Sequence, residues 1–370
     1  MSTHIITHPE SQFLLTRTIV SLILAIVIFI STQIIIEEWN PDWFAYYKIF
    51  EDGGWGEGRD KDIGFSFIIS LFKIIIGNDY ELFRIFVAVY LSIFSLVLAR
   101  GLILTQSSVA SAFVVAVAIF SLMIVRSTIQ IREGIAITFV LYSFVRMFNI
   151  IGEKNSSFHI NVDWKIITLL VIAFFIHSGT LIFLALYFLA CFFSPIRQRS
   201  IKSIVLLEFL VAVIVFAIAI GFGFSYNLLV SDNTVFFGGM DLDETTNFTV
   251  GKLGYWTVYG FFVFMLRHRM LEYCDNSNLP HIAVTYLKLF AGIIMPIVYS
   301  LILVLIFFQS SSLITGAMSR LLNLTMGINI LVLAFKTRNS LFIILFSLFF
   351  IIDQVRIVID ALLSYDMIDL

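Results

Sequence analysis

Apolar stretches close to the length of a membrane-spanning helix recur along nearly the whole chain, and few long polar segments interrupt them. Hydrophobic residues make up 60% of the chain and charged residues 13%, where soluble domains carry about a quarter charged residues. A water-soluble surface cannot be built from this composition. In a bilayer the backbone must satisfy its own hydrogen bonds, so the sequence predicts an all-α polytopic integral membrane protein.

The apolar stretches predict about eleven transmembrane helices within a single membrane domain, residues 1–370. They lie at 18–36, 64–76, 82–99, 108–125, 134–151, 166–193, 203–222, 254–266, 282–308, 318–335 and 341–352. The stretch 64–76 is short for a crossing, so we expect a re-entrant segment. The stretch 166–193 is long, so we expect two short helices that meet near His177, with one tilted helix as the alternative.

Lysine and arginine set the orientation, because short basic loops stay in the cytoplasm. The short basic segments are 197–202, 267–269 and 336–338. The acidic loops at about 37–63 and 223–252 are therefore predicted to lie outside. With a re-entrant 64–76, the first of these loops converges with Arg126, Arg132 and His177 on the outer face. If the short stretch crosses instead, both arginines are cytoplasmic.

The net charge, the cysteines and the absence of certain motifs exclude several classes of protein. A net charge of −2 and a pI near 6.3 argue against a nucleic-acid partner. The two cysteines, Cys191 and Cys274, form neither a CxxC pair nor a cluster with histidine, so neither zinc nor a disulfide framework is expected. Phosphate-loop, HExxH and GxSxG motifs are missing from the sequence. We therefore expect no metal and no cofactor.

Two arginines lie at the mouth of the predicted helical bundle, in the stretch from Arg126 through Gln130 to Arg132. A guanidinium keeps its charge and offers a planar fork of donors suited to phosphate or carboxylate. We predict Arg132 as a catalytic residue and Arg126 and Gln130 as substrate contacts. In the alternative, Arg126 extends to the membrane interface and Arg132 pairs with Glu133 or another acid.

His177 interrupts an apolar stretch and is followed by Ser-Gly-Thr, so we predict a catalytic imidazole, with a hydrogen-bonded structural histidine as the alternative. The first outer loop offers Asp42 as a catalytic carboxylate and Tyr46 and Arg59 as substrate contacts. Aromatic faces and carboxylates suit sugars, although the same composition describes an ordinary interfacial loop. Arg320 either lines the cavity or anchors a helix end.

These elements resemble the EpsG/Wzy group of exopolysaccharide and O-antigen polymerases. The first is the acidic, aromatic outer loop with Asp42 and Tyr46. The second runs from Ile131 to Ala136 and is similar to the family's Ile-Arg-Gln-x-x-Ala, with Glu133 in place of glutamine. The third is Ala-Phe-Phe-Ile-His-Ser, ending at Ser178 and similar to Ala-x-x-x-His-Ser.

The resemblance implies a metal-independent glycosyltransferase in the bacterial inner membrane. It would join undecaprenyl-diphosphate-linked oligosaccharide repeat units at the outer face into O-antigen, capsule or exopolysaccharide. Arg132, helped by Arg126 or Arg320, would stabilise the leaving diphosphate. His177 or an acid of the first loop would accept the proton of the attacking hydroxyl. A chain-length regulator and a flippase of the same pathway are candidate partners.

Two other functions compete with this interpretation. A membrane O-acyltransferase also needs a histidine and an arginine among about ten spans, but His4 and His8 precede the first span without an arginine pair nearby. A lipid-linked sugar flippase or transporter would be expected to show related halves or broken helices in matching positions, and no convincing internal repeat is visible.

Overall fold

The structure is a computed structural model that describes residues 9–34, 43–53, 62–104, 109–128, 130–149, 163–193 and 282–290, with single positions between 257 and 265 and between 341 and 352. Regular structure in these residues is entirely helical, which confirms the all-α prediction for the part described. The helices are α1 (Pro9–Ile34), α2 (Trp43–Glu51), α3 (Ile63–Ile75), α4 (Tyr80–Leu104), α5 (Val109–Thr128), α6 (Ile131–Asn149), α7 (Trp164–Ile176) and α8 (Leu181–Phe193).

Two of the described helices are long and apolar enough to span a membrane, over Leu14–Gln33 in α1 and Tyr80–Gly101 in α4. Only 22% and 39% of these segments are buried, so large apolar side chains cover their outer faces. That pattern suits helices that face lipid rather than core helices of a soluble protein. The predicted count of about eleven spans stays a prediction, because most of the second half of the chain lies outside the described residues.

The inner face of α1 is a stripe of buried residues that recur every three or four positions along the helix. Ser21, Leu24, Ala25, Ile28 and Thr32 are buried along it, and this face packs against α4 and α5. A helix that buries only one stripe needs neighbours on that side alone, which leaves the remaining surface for the lipid chains.

The ends of α1 and α4 show how the chain enters and leaves the segment between them. The Arg84 guanidinium lies 3.5 Å from the Thr32 carbonyl oxygen, so the end of α1 and the start of α4 lie at the same end of the bundle. The 13 residues of α3 extend about 20 Å, short of the about 30 Å of hydrocarbon. The segment that holds α2 and α3 therefore leaves and returns at one end of the bundle. That the stretch 64–76 is re-entrant in the membrane stays a prediction.

Residues 166–193 form a helical hairpin, and the alternative of one tilted helix is wrong. Helix α7 ends at Ile176, His177 adopts an extended backbone with φ −150° and ψ 111°, and a single 3₁₀ turn, Ser178–Thr180, leads into α8. The Asp163 N–H donates to the Tyr187 hydroxyl at 3.1 Å. This bond joins the start of α7 to the middle of α8, so the two helices fold back on each other with His177 at the turn between them.

The tip of this hairpin points to the end of the bundle where α6 begins. The Arg146 Nε donates to Asp163 at 2.7 Å, which joins the end of α6 to the start of α7 at the opposite end. Helices α6 and α7 are therefore antiparallel neighbours, and the start of α6 faces the His177 turn. Which side of the membrane this end occupies stays a prediction.

Candidate functional site

Arg132, in the first turn of α6, lies where three segments of the chain meet. Its Nη1 is paired with the Asp62 carboxylate, directly before α3. Its guanidinium also lies over the Tyr46 ring of α2, 5.8 Å from the ring centroid, and its backbone N–H lies 3.5 Å from the Tyr46 hydroxyl. The Arg132 side chain remains 25% exposed, so a ligand can reach it. The predicted Tyr46 and Arg132 are thus brought together.

The His177 turn reaches the same carboxylate. The Ser178 N–H donates to the second Asp62 oxygen at 3.1 Å. The His177 carbonyl accepts from the Thr180 N–H at 3.0 Å and from its hydroxyl at 2.8 Å, which fixes the turn. A Cβ on Gly179 would lie 2.8 Å from the imidazole Nε2, so glycine lets the ring fold back over the turn.

Arg126, at the end of α5, is turned into the protein. Its side chain is 1% exposed, its Nε donates to Glu133 at 2.9 Å and its Nη1 donates to the Leu122 carbonyl at 2.8 Å. The alternative in which Arg126 extends to the interface is wrong. Burial of a charge requires such partners. This placement favours a structural role for Arg126, in which it holds the α5–α6 turn. It does not favour the substrate contact predicted for this residue.

The α5–α6 turn is tightly packed around Gly134. A Cβ on Gly134 would overlap the Arg126 carbonyl oxygen and lie 3.0 Å from its carbonyl carbon. The half-buried Gln130 precedes α6, and its carbonyl accepts from the Gly134 N–H at 2.8 Å. Only glycine permits this close approach, which sets where Arg132 stands.

The comparison with protein families identifies the chain. The EpsG family model matches residues 21–367. The chain belongs to the EpsG family. The EpsG family is a family of membrane proteins associated with exopolysaccharide biosynthesis. No curated protein and no solved structure matches the chain.

The remaining predicted site residues of this EpsG-family chain lie outside the described residues: Asp42, Arg59 and Arg320. Their roles stay predictions. Among the described residues, no group of three or more His, Cys, Asp or Glu side chains is arranged to hold a metal ion.

Two acidic residues of the site were not predicted from the sequence. Asp62 directly precedes an apolar helix, where an aspartate normally caps its own helix, and it was counted with the acidic loop. Glu133 stands where the resembling motif has glutamine, and the sequence offers it only as an alternative partner of Arg132. The cost of leaving an intramembrane arginine without an acid is a signal for Glu133, seven positions from Arg126. It does not single out Asp62, which is 70 positions from Arg132.

Proposed function

We propose that this EpsG-family chain is a polymerase of lipid-linked oligosaccharides. It joins undecaprenyl-diphosphate-linked repeat units into O-antigen, capsule or exopolysaccharide at the outer face of the bacterial inner membrane. One observation carries the proposal: the Ile-Arg-Glu element and the Ala-x-x-x-His-Ser element both bind Asp62 at one end of the helical bundle. These are two of the elements that resemble polysaccharide polymerases.

The proposed reaction transfers a growing glycan from one lipid to another. A hydroxyl oxygen of the acceptor sugar bonds to the anomeric carbon of the donor, and the bond from that carbon to the diphosphate oxygen breaks. Undecaprenyl diphosphate leaves with the bonding electron pair. Arg132 is partly exposed and has a fixed charge, so it suits the growing negative charge of this leaving group. The apolar faces of the bundle suit the polyprenyl tail.

The acceptor hydroxyl must also lose its proton. His177 is the described candidate for the base, because it lies on the turn that hydrogen-bonds Asp62 and is partly exposed. Asp42 of the first loop is the second candidate. An imidazole exchanges protons near neutral pH, and general-base catalysis typically contributes about 100- to 10,000-fold in rate.

The proposal is tested in a strain that lacks the chain and is complemented with variants. We expect Arg132→Ala to leave only single-repeat glycolipid on a polysaccharide gel, and Arg132→Lys to give weakened polymer, because lysine replaces the charge but not the planar fork. Arg146→Ala is the matched control, since Arg146 is an arginine at the other end of the same helix. It should give long chains.

Histidine variants separate two roles of the imidazole. His177→Ala should reduce polymer strongly if the ring is the base, while His177→Gln should keep some activity if the ring only holds the turn. Protein levels are checked by blot. Long-chain polymer from Arg132→Ala at a normal protein level would contradict the proposed role of Arg132 in the site. A deletion strain that lacks this protein and still makes long-chain polymer would contradict the proposed function.

A further inference from the structure

The Asp62 side chain bonds to residues of the site and not to its own helix. It stands at the start of α3, where its backbone carbonyl accepts from the N–H groups of Phe65 and Ser66 at 3.0 and 3.2 Å. Its side chain makes no capping bond to α3. The carboxylate turns away instead, with one oxygen on Arg132 and the other on the Ser178 N–H.

The contact between α3 and the hairpin depends on Gly64. A Cβ at this position would lie 2.8 Å from the carbonyl carbon and 2.9 Å from the carbonyl oxygen of Phe175. These are backbone atoms that cannot move aside as a flexible side chain would. The start of α3 is thus pressed against the end of α7, and this approach brings the Asp62 carboxylate within reach of Ser178.

We propose that Asp62 is a positioning residue that orients the Arg132 guanidinium toward the leaving diphosphate and holds the His177 turn beside it. This inference rests on the proposed polymerase function and adds a residue to it. Asp62 acts through Arg132 and is not the base, because both of its carboxylate oxygens already accept hydrogen bonds from the protein.

The physical basis is the fixed geometry of a charged pair with little water around it. The Asp62 and Arg132 side chains are 11% and 25% exposed, so the ion pair is screened less than one on a water-covered surface. The Asp62 carboxylate holds one nitrogen of the planar guanidinium and the Tyr46 ring lies beside its face, so the two contacts together restrict the direction of the other nitrogens. The α2–α3 segment therefore supplies both contacts that aim Arg132: Tyr46 in α2 and Asp62 directly before α3.

The test measures initial rates of polymerisation in membranes that contain the full-length chain. The substrate is the undecaprenyl-diphosphate-linked repeat unit extracted from the deletion strain. Asp62→Asn should lower kcat by about 10- to 100-fold, as expected when a catalytic group is misplaced by up to about 1 Å. Asp79→Asn is the matched control, because Asp79 caps α4 by accepting from the N–H groups of Glu81 and Leu82. Its kcat should stay near that of the wild type.

A double variant distinguishes positioning from general support of the fold. If Asp62 acts through Arg132, Asp62→Asn should lower kcat much less in an Arg132→Lys background than in the wild type. An equal fold-loss in both backgrounds, or an unchanged kcat for Asp62→Asn, would overturn the proposal. If Asp62→Asn does not accumulate in the membrane, Asp62→Glu replaces it, and an unchanged kcat for that variant also overturns the proposal.

Failure of the polymerase function gives a different result. Wild-type membranes would then form no polymer from the lipid-linked repeat unit, whatever stands at position 62. A wild-type chain that polymerises while Asp62→Asn keeps full kcat contradicts only the positioning role.

Discussion

Replacement of Gly134 by alanine perturbs the site without touching a charged group. The added Cβ would lie 3.0 Å from the Arg126 carbonyl carbon, with the carbonyl oxygen nearer still, whereas ordinary contact begins near 3.4 Å. The carbon contact alone requires the start of α6 to move from the end of α5 by about 0.4 Å, the difference between 3.4 and 3.0 Å, and the nearer carbonyl oxygen requires a larger shift. Arg132 stands two residues earlier on the same helical turn and moves with it.

The loss of stability and the loss of activity in Gly134→Ala can both be given a magnitude. Overpacking costs about 1–3 kcal/mol, and alanine recovers about 1 kcal/mol of helix propensity over glycine, so the net loss of stability is about 0–2 kcal/mol. Since a displacement of about 1 Å costs on the order of 100-fold in rate, a shift between about half of that and the whole predicts a loss of about 10- to 100-fold. Activity should therefore fall more clearly than stability.

Gly101→Ala is the matched control, because a Cβ at this position on α4 meets nothing within 4 Å. The assay combines thermal unfolding of the detergent-solubilised protein with the rate of polymer formation in membranes. Gly101→Ala should keep both. Wild-type rate and stability in Gly134→Ala would refute the argument that close packing of the α5–α6 turn sets the position of Arg132.

Three further predictions concern topology and the buried ion pair. In a cysteine-free background, a cysteine at Gly54 should react with an impermeant thiol reagent in intact cells and one at Gln198 should not; the reverse pattern would invert the orientation. A reporter fused after Asn78 should lie outside, and a cytoplasmic report would mean that α3 crosses the membrane. Glu133→Ala should lower the free energy of unfolding by about 3–5 kcal/mol because Arg126 loses its buried carboxylate, and Glu133→Gln should cost less; an unchanged melting temperature for Glu133→Ala would contradict this.

The fold was predictable where hydropathy and length decide it. The stretch 64–76 is short and the stretch 166–193 is long for a single crossing, and the structure has a 13-residue helix and a hairpin there. Helix ends were less predictable, because α1 begins at Pro9, well before its apolar run at residue 18. Hydropathy marks where a helix can contact lipid, whereas a helix continues beyond that as long as its backbone bonds are made.

The site was predictable in part, because the sequence shows which residues are costly in a membrane but not which of them pair. Arg132 and His177 stood out for that cost, and the structure brings their segments together at Asp62. The pairing itself depends on α3 returning to the start of α6, a contact across 70 positions of the chain. For the same reason the sequence left open whether Glu133 pairs with Arg132, and the structure pairs it with Arg126.

The central claim is that this chain alone joins lipid-linked repeat units. The most direct measurement is reconstitution of the purified full-length chain in liposomes with the undecaprenyl-diphosphate-linked repeat unit, followed by a gel of the products over time. We expect a ladder of longer glycans on lipid, with release of undecaprenyl diphosphate, and no ladder from Arg132→Ala. A wild-type preparation that is folded and leaves the repeat unit unchanged would contradict it.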